Sequence, residues 1–278
     1  MSSLDKMLKI LDLFDEGQMS IQLDHAVQAT GASRATAYRY IQSLCGCGLL
    51  APAVGGSYVL GPRVIELDRL VRRADPLLTG ASSLIRDVSA RLAINIMLCS
   101  YYGDKVMCAD LVWPDRSIPE IYERGRPMPM FRGAMAKTIL AHLTPYQLRN
   151  MMLWHGDKIR EAGLGDTWDQ FRSRMARLRK DGYCVTRAEV VPGLVGIGAP
   201  VFDADDRILG SVVFAVSEAR FDASLTQGFV TEIVDLASRI TRAIAGSAAG
   251  SGTGSKRTPR PRKIRAGSDA GFDVTSTG

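Results

Sequence analysis

Apolar residues recur at helical spacing from the start of the chain. Leu4, Met7, Leu8, Leu11 and Phe14 predict one helix, opened by a capping box between Ser2 and Asp5. Leu23, Ala26 and Val27 mark a shorter amphipathic helix within 20–30, and Gly31 falls where a tight turn would end it. Ser33 then caps a helix whose inward positions Ala37, Ile41 and Leu44 are spaced by four and three, which leaves Arg34, Thr36, Tyr38, Arg39 and Gln42 on its other faces. By itself this segment also fits an ordinary capped surface helix. The adjoining residues favour a DNA reader: Leu49–Leu50 and Tyr58–Leu60 flank the turn-forming pair Gly55 and Gly56, the pattern of a two-stranded hairpin. Helix, turn, helix, hairpin is the order of a winged helix-turn-helix, here 1–61.

Pro62 predicts the start of a linker helix over 62–75, with Val64, Ile65, Leu67, Leu70 and Val71 as its apolar positions and Asp75-Pro76 as its end. From Pro76 the texture changes to alternating helices and strands. Helices are expected at 77–92, 134–143, 145–154, 168–180 and 225–244, and strands at 95–101, 105–113, 195–202 and 209–216. The order implies an α+β domain over 76–245 with an antiparallel sheet covered by helices. Residues 246–255 are Gly, Ser, Ala and Thr only, and 256–265 interleave Lys and Arg with Pro, so 246–278 reads as a disordered basic tail, either a nonspecific DNA-binding arm or a solvated terminus.

Charge sharpens this picture only locally. The formal net charge of +6 is mostly in the tail, where six Lys or Arg face two Asp, whereas residues 1–75 hold eight basic and eight acidic side chains. No acid lies between Gln28 and Glu66, so Arg34, Arg39 and Arg63 are expected to be unopposed. The N-terminus lacks an apolar signal core and no long apolar run occurs, which points to a cytoplasmic protein with no membrane partner. Five scattered cysteines argue for reduced thiols.

Catalytic chemistry finds little footing. There is no nucleophile elbow and no His-Glu-x-x-His, and the three histidines (His25, His142, His155) are far apart in sequence. Cys45-Gly-Cys47 has the wrong spacing for a zinc pair. No catalytic residue, metal or cofactor is expected. Two other classes stay open on the residues alone: a ligand-independent architectural DNA-binding protein, and an enzyme with an accessory winged helix. The size of 76–245 favours sensing over the first.

Three ordered stretches resemble the IclR-type family of bacterial transcriptional regulators across roughly 4–245: Ala35–Ile41 through Tyr58–Gly61; Pro127–Met130 leading into Lys137–Ala141; and Gly182-Tyr183, Glu189, Gly193 and Ala199–Asp203. Ala136 stands where that family usually has Gly, and Phe131-Arg132 replaces a commoner His-bearing segment. The resemblance implies a GAF-like effector domain, a homodimer formed through the DNA-binding modules and often a homotetramer, and control of catabolic genes. It carries effector contacts over to Met135, Thr186, Leu194, Gly196, Val213 and Ala215.

The expected partners are double-stranded operator DNA, a small organic effector and, as a further candidate, RNA polymerase. On the DNA side the candidates are Ser33, Arg34, Thr36, Tyr38, Arg39, Gln42, Gly55 and Gly56. Because the carried-over pocket residues are mostly apolar, the effector reads as an aromatic or other hydrophobic acid, with Arg116 or Arg132 placed to pair with its carboxylate.

Overall fold

Ser2 caps α1 (Ser3–Leu8) reciprocally: its hydroxyl accepts from Asp5 N–H at 3.1 Å while the Asp5 carboxylate accepts from Ser2 N–H at 3.0 Å. The computed structural model describes residues 2–118, 122–221 and 223–250, of which 223–225 and 248–250 by backbone course alone. The chain divides between Asp75 and Pro76 into two compact units.

In the first unit the single predicted N-terminal helix is two pieces. After α1 the chain tightens into a 3₁₀ turn over Lys9–Leu13, and that change of pitch carries Ile10, fully buried, into the core. Helix α2 (Leu23–Thr30) ends at Gly31, whose φ of +60° is left-handed, and α3 (Arg34–Gly46) starts at Ser33. Strands β1 (Leu50–Pro52) and β2 (Tyr58–Leu60) pair antiparallel through a turn in which Gly55 and Gly56 have φ of +73° and +74°, a region that side chains with a Cβ avoid. Ile21 and Tyr58 exchange two backbone hydrogen bonds of 2.9 and 2.8 Å, which ties the entrance of α2 to the hairpin. Ile10, Ile21, Ala26, Ala37, Ile41, Leu44 and Leu50 form the core. Each fully buried Ile or Leu here contributes about 1.5–3 kcal/mol. Cys45 packs at the edge of this core, but Cys47 is exposed.

Helix α4 (Arg63–Ala74) buries nothing: Val64, Leu67, Leu70 and Val71 form a stripe along it that is 37–48% exposed.

The second unit is built on a six-stranded antiparallel sheet, order β5-β4-β3-β8-β7-β6, from β3 (Asn95–Tyr102), β4 (Lys105–Val112), β5 (Pro127–Met128), β6 (Cys184–Arg187), β7 (Leu194–Phe202) and β8 (Ile208–Ser217). Helices α5 (Pro76–Leu92) and α9 (Ala223–Gly250) cover one face; α6 (Gly133–Ala141), backed by α7 (Pro145–Glu161) and α8 (Trp168–Asp181), covers the other. The pleat of β3 and β8 sorts side chains between two cores. Ile96, Leu98, Val212, Phe214 and Val216 point to α5 and α9, whereas Met97, Cys99, Val213 and Ala215 point to α6. Gly198 lets α6 approach β7, since a Cβ there would lie 3.0 Å from the Ala134 carbonyl oxygen. Among the described residues no helix is long and apolar enough to cross a membrane.

Beyond the split N-terminal helix, the expected helices and strands are present with these adjustments. Strands β5 and β6 are short additions at the two sheet edges. Helix α7 runs on to Glu161 because the chain bends at His155 (φ −133°) instead of ending at Trp154. The tail does not begin at residue 246: α9 continues to Gly250, with the Ser247 hydroxyl bonded to the Ala243 carbonyl at 3.0 Å. The remainder of the expected tail, 251–278, lies outside the described residues.

Candidate DNA-reading face and effector cavity

The core stripe Ala37, Ile41 and Leu44 sets which side of α3 faces outward. Arg34, Tyr38, Arg39 and Gln42 are all exposed; Arg34 and Tyr38 are four residues apart, and Arg39 and Gln42 three. Ser33 fixes the start of the helix: its oxygen accepts from Thr36 N–H at 3.3 Å and its hydroxyl donates to Thr36 Oγ1 at 2.9 Å, so Thr36 is half-buried and part of the cap. Gly55 and Gly56 sit at the exposed hairpin tip. Beside them Val54, 96% exposed, had no signal in the sequence beyond its position before the glycines.

The expectation of three unopposed arginines is corrected. Arg34 is ion-paired with Asp24 of α2, and Arg63 with Glu66 one turn on, because folding brings acids from outside the 28–65 window alongside. Arg39 has no acidic partner among the described residues, and it is the unneutralised cation on the outer face of α3.

The second unit encloses a small cavity between α6 and the sheet. Its walls are Met97, Val213 and Ala215 of β3 and β8, Thr186, Leu194 and Gly196 of β6 and β7, Gly133–Met135 of α6, Glu189–Val191 of the β6–β7 loop, and Tyr122. Register explains the assembly. Thr186 is paired with Gly196 and Gly196 with Ala215, one row across three strands; Met97 is paired with Val213 in the next row. All six residues carried over by resemblance are thus brought together. The space left is about 20 Å³, the room of about one water. Crowding is greatest at Gly133 (φ +80°), where a Cβ would stand 2.5 Å from Met135 Sδ and 2.9 Å from Val190 Cγ2.

The expected carboxylate clamps are not there. Arg132 is exposed at the cap position before α6 and Arg116 is exposed in the turn after β4; neither lines the cavity. A helix cap one residue before a pocket residue points to solvent, which sequence adjacency does not reveal. The charge beside the cavity is instead a half-buried pair: Lys137, 7% exposed, places Nζ 2.5 Å from Glu189 Oε1, and the partly exposed Glu189 accepts through Oε2 from Gly133 N–H at 3.0 Å. One signal marked it in advance: Lys137 is the lone charge in an otherwise apolar helix, and a buried ammonium requires a partner. Nearby, burial pushes the Tyr122 phenol up in pKa and the Cys108 thiol up to about 12, so the first stays a neutral hydroxyl and the second a small apolar group. Among the described residues no cluster of His, Cys, Asp and Glu could hold a metal ion.

A winged helix with a cationic outer face, and an α+β unit with an internal cavity, define a DNA-binding regulator equipped with an effector-binding domain. Residues 3–52 match the IclR helix-turn-helix domain and residues 71–242 the family described as bacterial transcriptional regulator IclR C-terminal. The chain belongs to the IclR family of bacterial transcriptional regulators, and it is a regulator, not an enzyme. It is 23% identical over 241 residues to the HTH-type transcriptional regulator KipR of Bacillus subtilis, covering 86% of this chain and 95% of that protein. It is 24% identical over 232 residues to the Pca regulon regulatory protein of Pseudomonas putida, covering 83% and 79%. Among solved structures it resembles an ICLR transcriptional regulator from Silicibacter sp. (TM-score 0.74, 19% identity, 88% of this chain and 96% of that one). It also resembles an IclR homolog from Microbacterium hydrocarbonoxydans complexed with 4-hydroxybenzoate (TM-score 0.66, 16% identity, 88% and 100%).

Proposed function

We propose that this regulator controls a catabolic operon and that its effector is a small aromatic organic acid taken into the α6–sheet cavity. The observation that carries this reading is the lining: apolar groups from Met97, Met135, Leu194, Val213 and Ala215, with Glu189 in the wall and the buried ammonium of Lys137 paired to it. The 4-hydroxybenzoate held by one structural relative and the regulon named for one sequence relative support it. An aromatic acid is far larger than the present space, so binding displaces Met135, an unbranched side chain with three rotatable bonds, together with Val190 and Val191. That displacement makes affinity differ between two conformations, which is what regulation needs; a coupling of about 1–3 kcal/mol changes DNA affinity roughly 5- to 150-fold.

On DNA, Arg39 and Gln42 read or clamp the duplex from α3, with Ser33, Arg34, Thr36 and Tyr38 around them and the Gly55-Gly56 tip reaching the backbone. The exposed stripe on α4 supplies the subunit contact of a homodimer, or of a homotetramer built from dimers, on a near-palindromic site. The protein then works in the cytoplasm, with RNA polymerase as the machinery it admits or blocks.

The test is a thermal-shift titration of full-length protein with 4-hydroxybenzoate, followed by anisotropy on an operator obtained by in vitro selection. An effector at 100 times its Kd stabilises by about 2.7 kcal/mol. Absence of any shift across a panel of aromatic acids, with DNA binding intact, overturns the effector class.

A further inference from the structure

The Lys137–Glu189 pair borders the cavity, with Glu189 in its wall. One carboxylate uses both oxygens on the groups that could receive an acid: Oε1 on Lys137 Nζ at 2.5 Å and Oε2 on Gly133 N–H at 3.0 Å. Glu189 belongs to the chain, but it does not belong to the sheet. It sits in the loop joining β6 to β7, follows Ala188, which is held at a left-handed φ of +53°, and its side chain is 31% exposed where that of Lys137 is 9%. Its neighbours Val190 and Val191 cover the same cavity. The lysine is enclosed, whereas its anion comes from a loop and is partly open to water.

Electrostatics then set the terms for any ligand. With Glu189 in place the site is charge-balanced, and a second carboxylate would be confined beside the first with one ammonium between them. A neutral ligand meets no such cost. We propose that Glu189 is an internal occupant of the effector's carboxylate subsite. The incoming acid replaces it on Lys137 Nζ and Gly133 N–H, and its release carries Val190 and Val191 away from the cavity. Glu189 is therefore a specificity-determining residue: it weakens the binding of acids and leaves neutral analogues unaffected. This inference rests on the reading of the cavity as the effector site and adds how that site selects.

The test is chemical rescue. Full-length Glu189→Ala exposes the subsite to a free carboxylate, and the probe is sodium acetate against sodium chloride at equal ionic strength. Acetate should raise the melting midpoint of Glu189→Ala by about 3 °C over chloride, leave the wild type unmoved, and lose its effect when Lys137→Met is added. Equal responses of Glu189→Ala to the two salts overturn the proposal. Should that variant not fold, Glu189→Gln is titrated with 4-hydroxybenzoate and with its amide; the acid should bind about tenfold tighter than to wild type and the amide equally. An acid affinity no higher than wild type overturns it. Acetate rescue together with no binding of 4-hydroxybenzoate by any variant upholds the subsite and rejects the aromatic acid, so the two readings fail separately.

Discussion

Arg34 and Asp24 form an ion pair between α3 and α2, and five residues further along α3 Arg39 has no such partner among the described residues. The two arginines are therefore unequal at a DNA surface. Arg39→Ala should lower operator affinity at least about tenfold at fixed salt, close to 1.4 kcal/mol. Asp24→Asn should release Arg34, strengthen binding to any duplex and steepen the salt dependence by about one unit. Fluorescence anisotropy over a salt series checks both, and unchanged affinity for Arg39→Ala would remove that residue from the interface.

The α4 stripe gives a second expectation. Leu70, 48% exposed, touches no core, so Leu70→Glu should change the stability of the folded chain by no more than about 0.5 kcal/mol. If α4 is the subunit contact, the same change shifts the protein to monomer in sedimentation velocity and weakens operator binding. An unaltered oligomer places the contact elsewhere.

Within the cavity, a Cβ at position 196 would meet Thr186 Oγ1 at 3.2 Å and Ala134 Cβ at 3.4 Å. Gly196→Val should fill the space, abolish the effector's thermal shift and leave DNA affinity unchanged. Met135→Ala opens the same space at a cost of about 2–5 kcal/mol. Calorimetry on the two variants separates loss of the site from loss of the fold.

The melting temperature should fall on mild acidification, in part through His142. Burial holds its pKa below 6.5, and its Nδ1 lies 2.9 Å from the Thr138 carbonyl. As the pH falls the unfolded chain takes up that proton first, so the contribution is complete above about pH 6.5 and is lost below it. His142→Gln should flatten the decline between about pH 7.5 and 5.5. A decline as steep as that of wild type would exclude His142 as a source.

The reading helix and its hairpin were legible because their signals are local: Ser33 at a cap, Ala37-Ile41-Leu44 at one spacing, two glycines at a turn. The cavity was legible only through family resemblance, since the rows Thr186-Gly196-Ala215 and Met97-Val213 depend on strand register, which periodicity does not encode. Arg116 and Arg132 misled for the same reason: nearness along the chain stood in for nearness in space. Lys137 and Glu189 were each part of a matched stretch, but 52 residues separate them, and their pairing emerges only when α6 is laid against the β6–β7 loop.

The pleat that sends Met97, Val213 and Ala215 one way and Ile96, Val212 and Phe214 the other gives this domain two independent dials. With the proposed effector cavity, substitutions at the first set would retune what the protein senses, while the second set packs the frame against α5 and α9. A new chemical specificity is thus reachable through a handful of alternate positions on two strands, without rebuilding the scaffold that holds them.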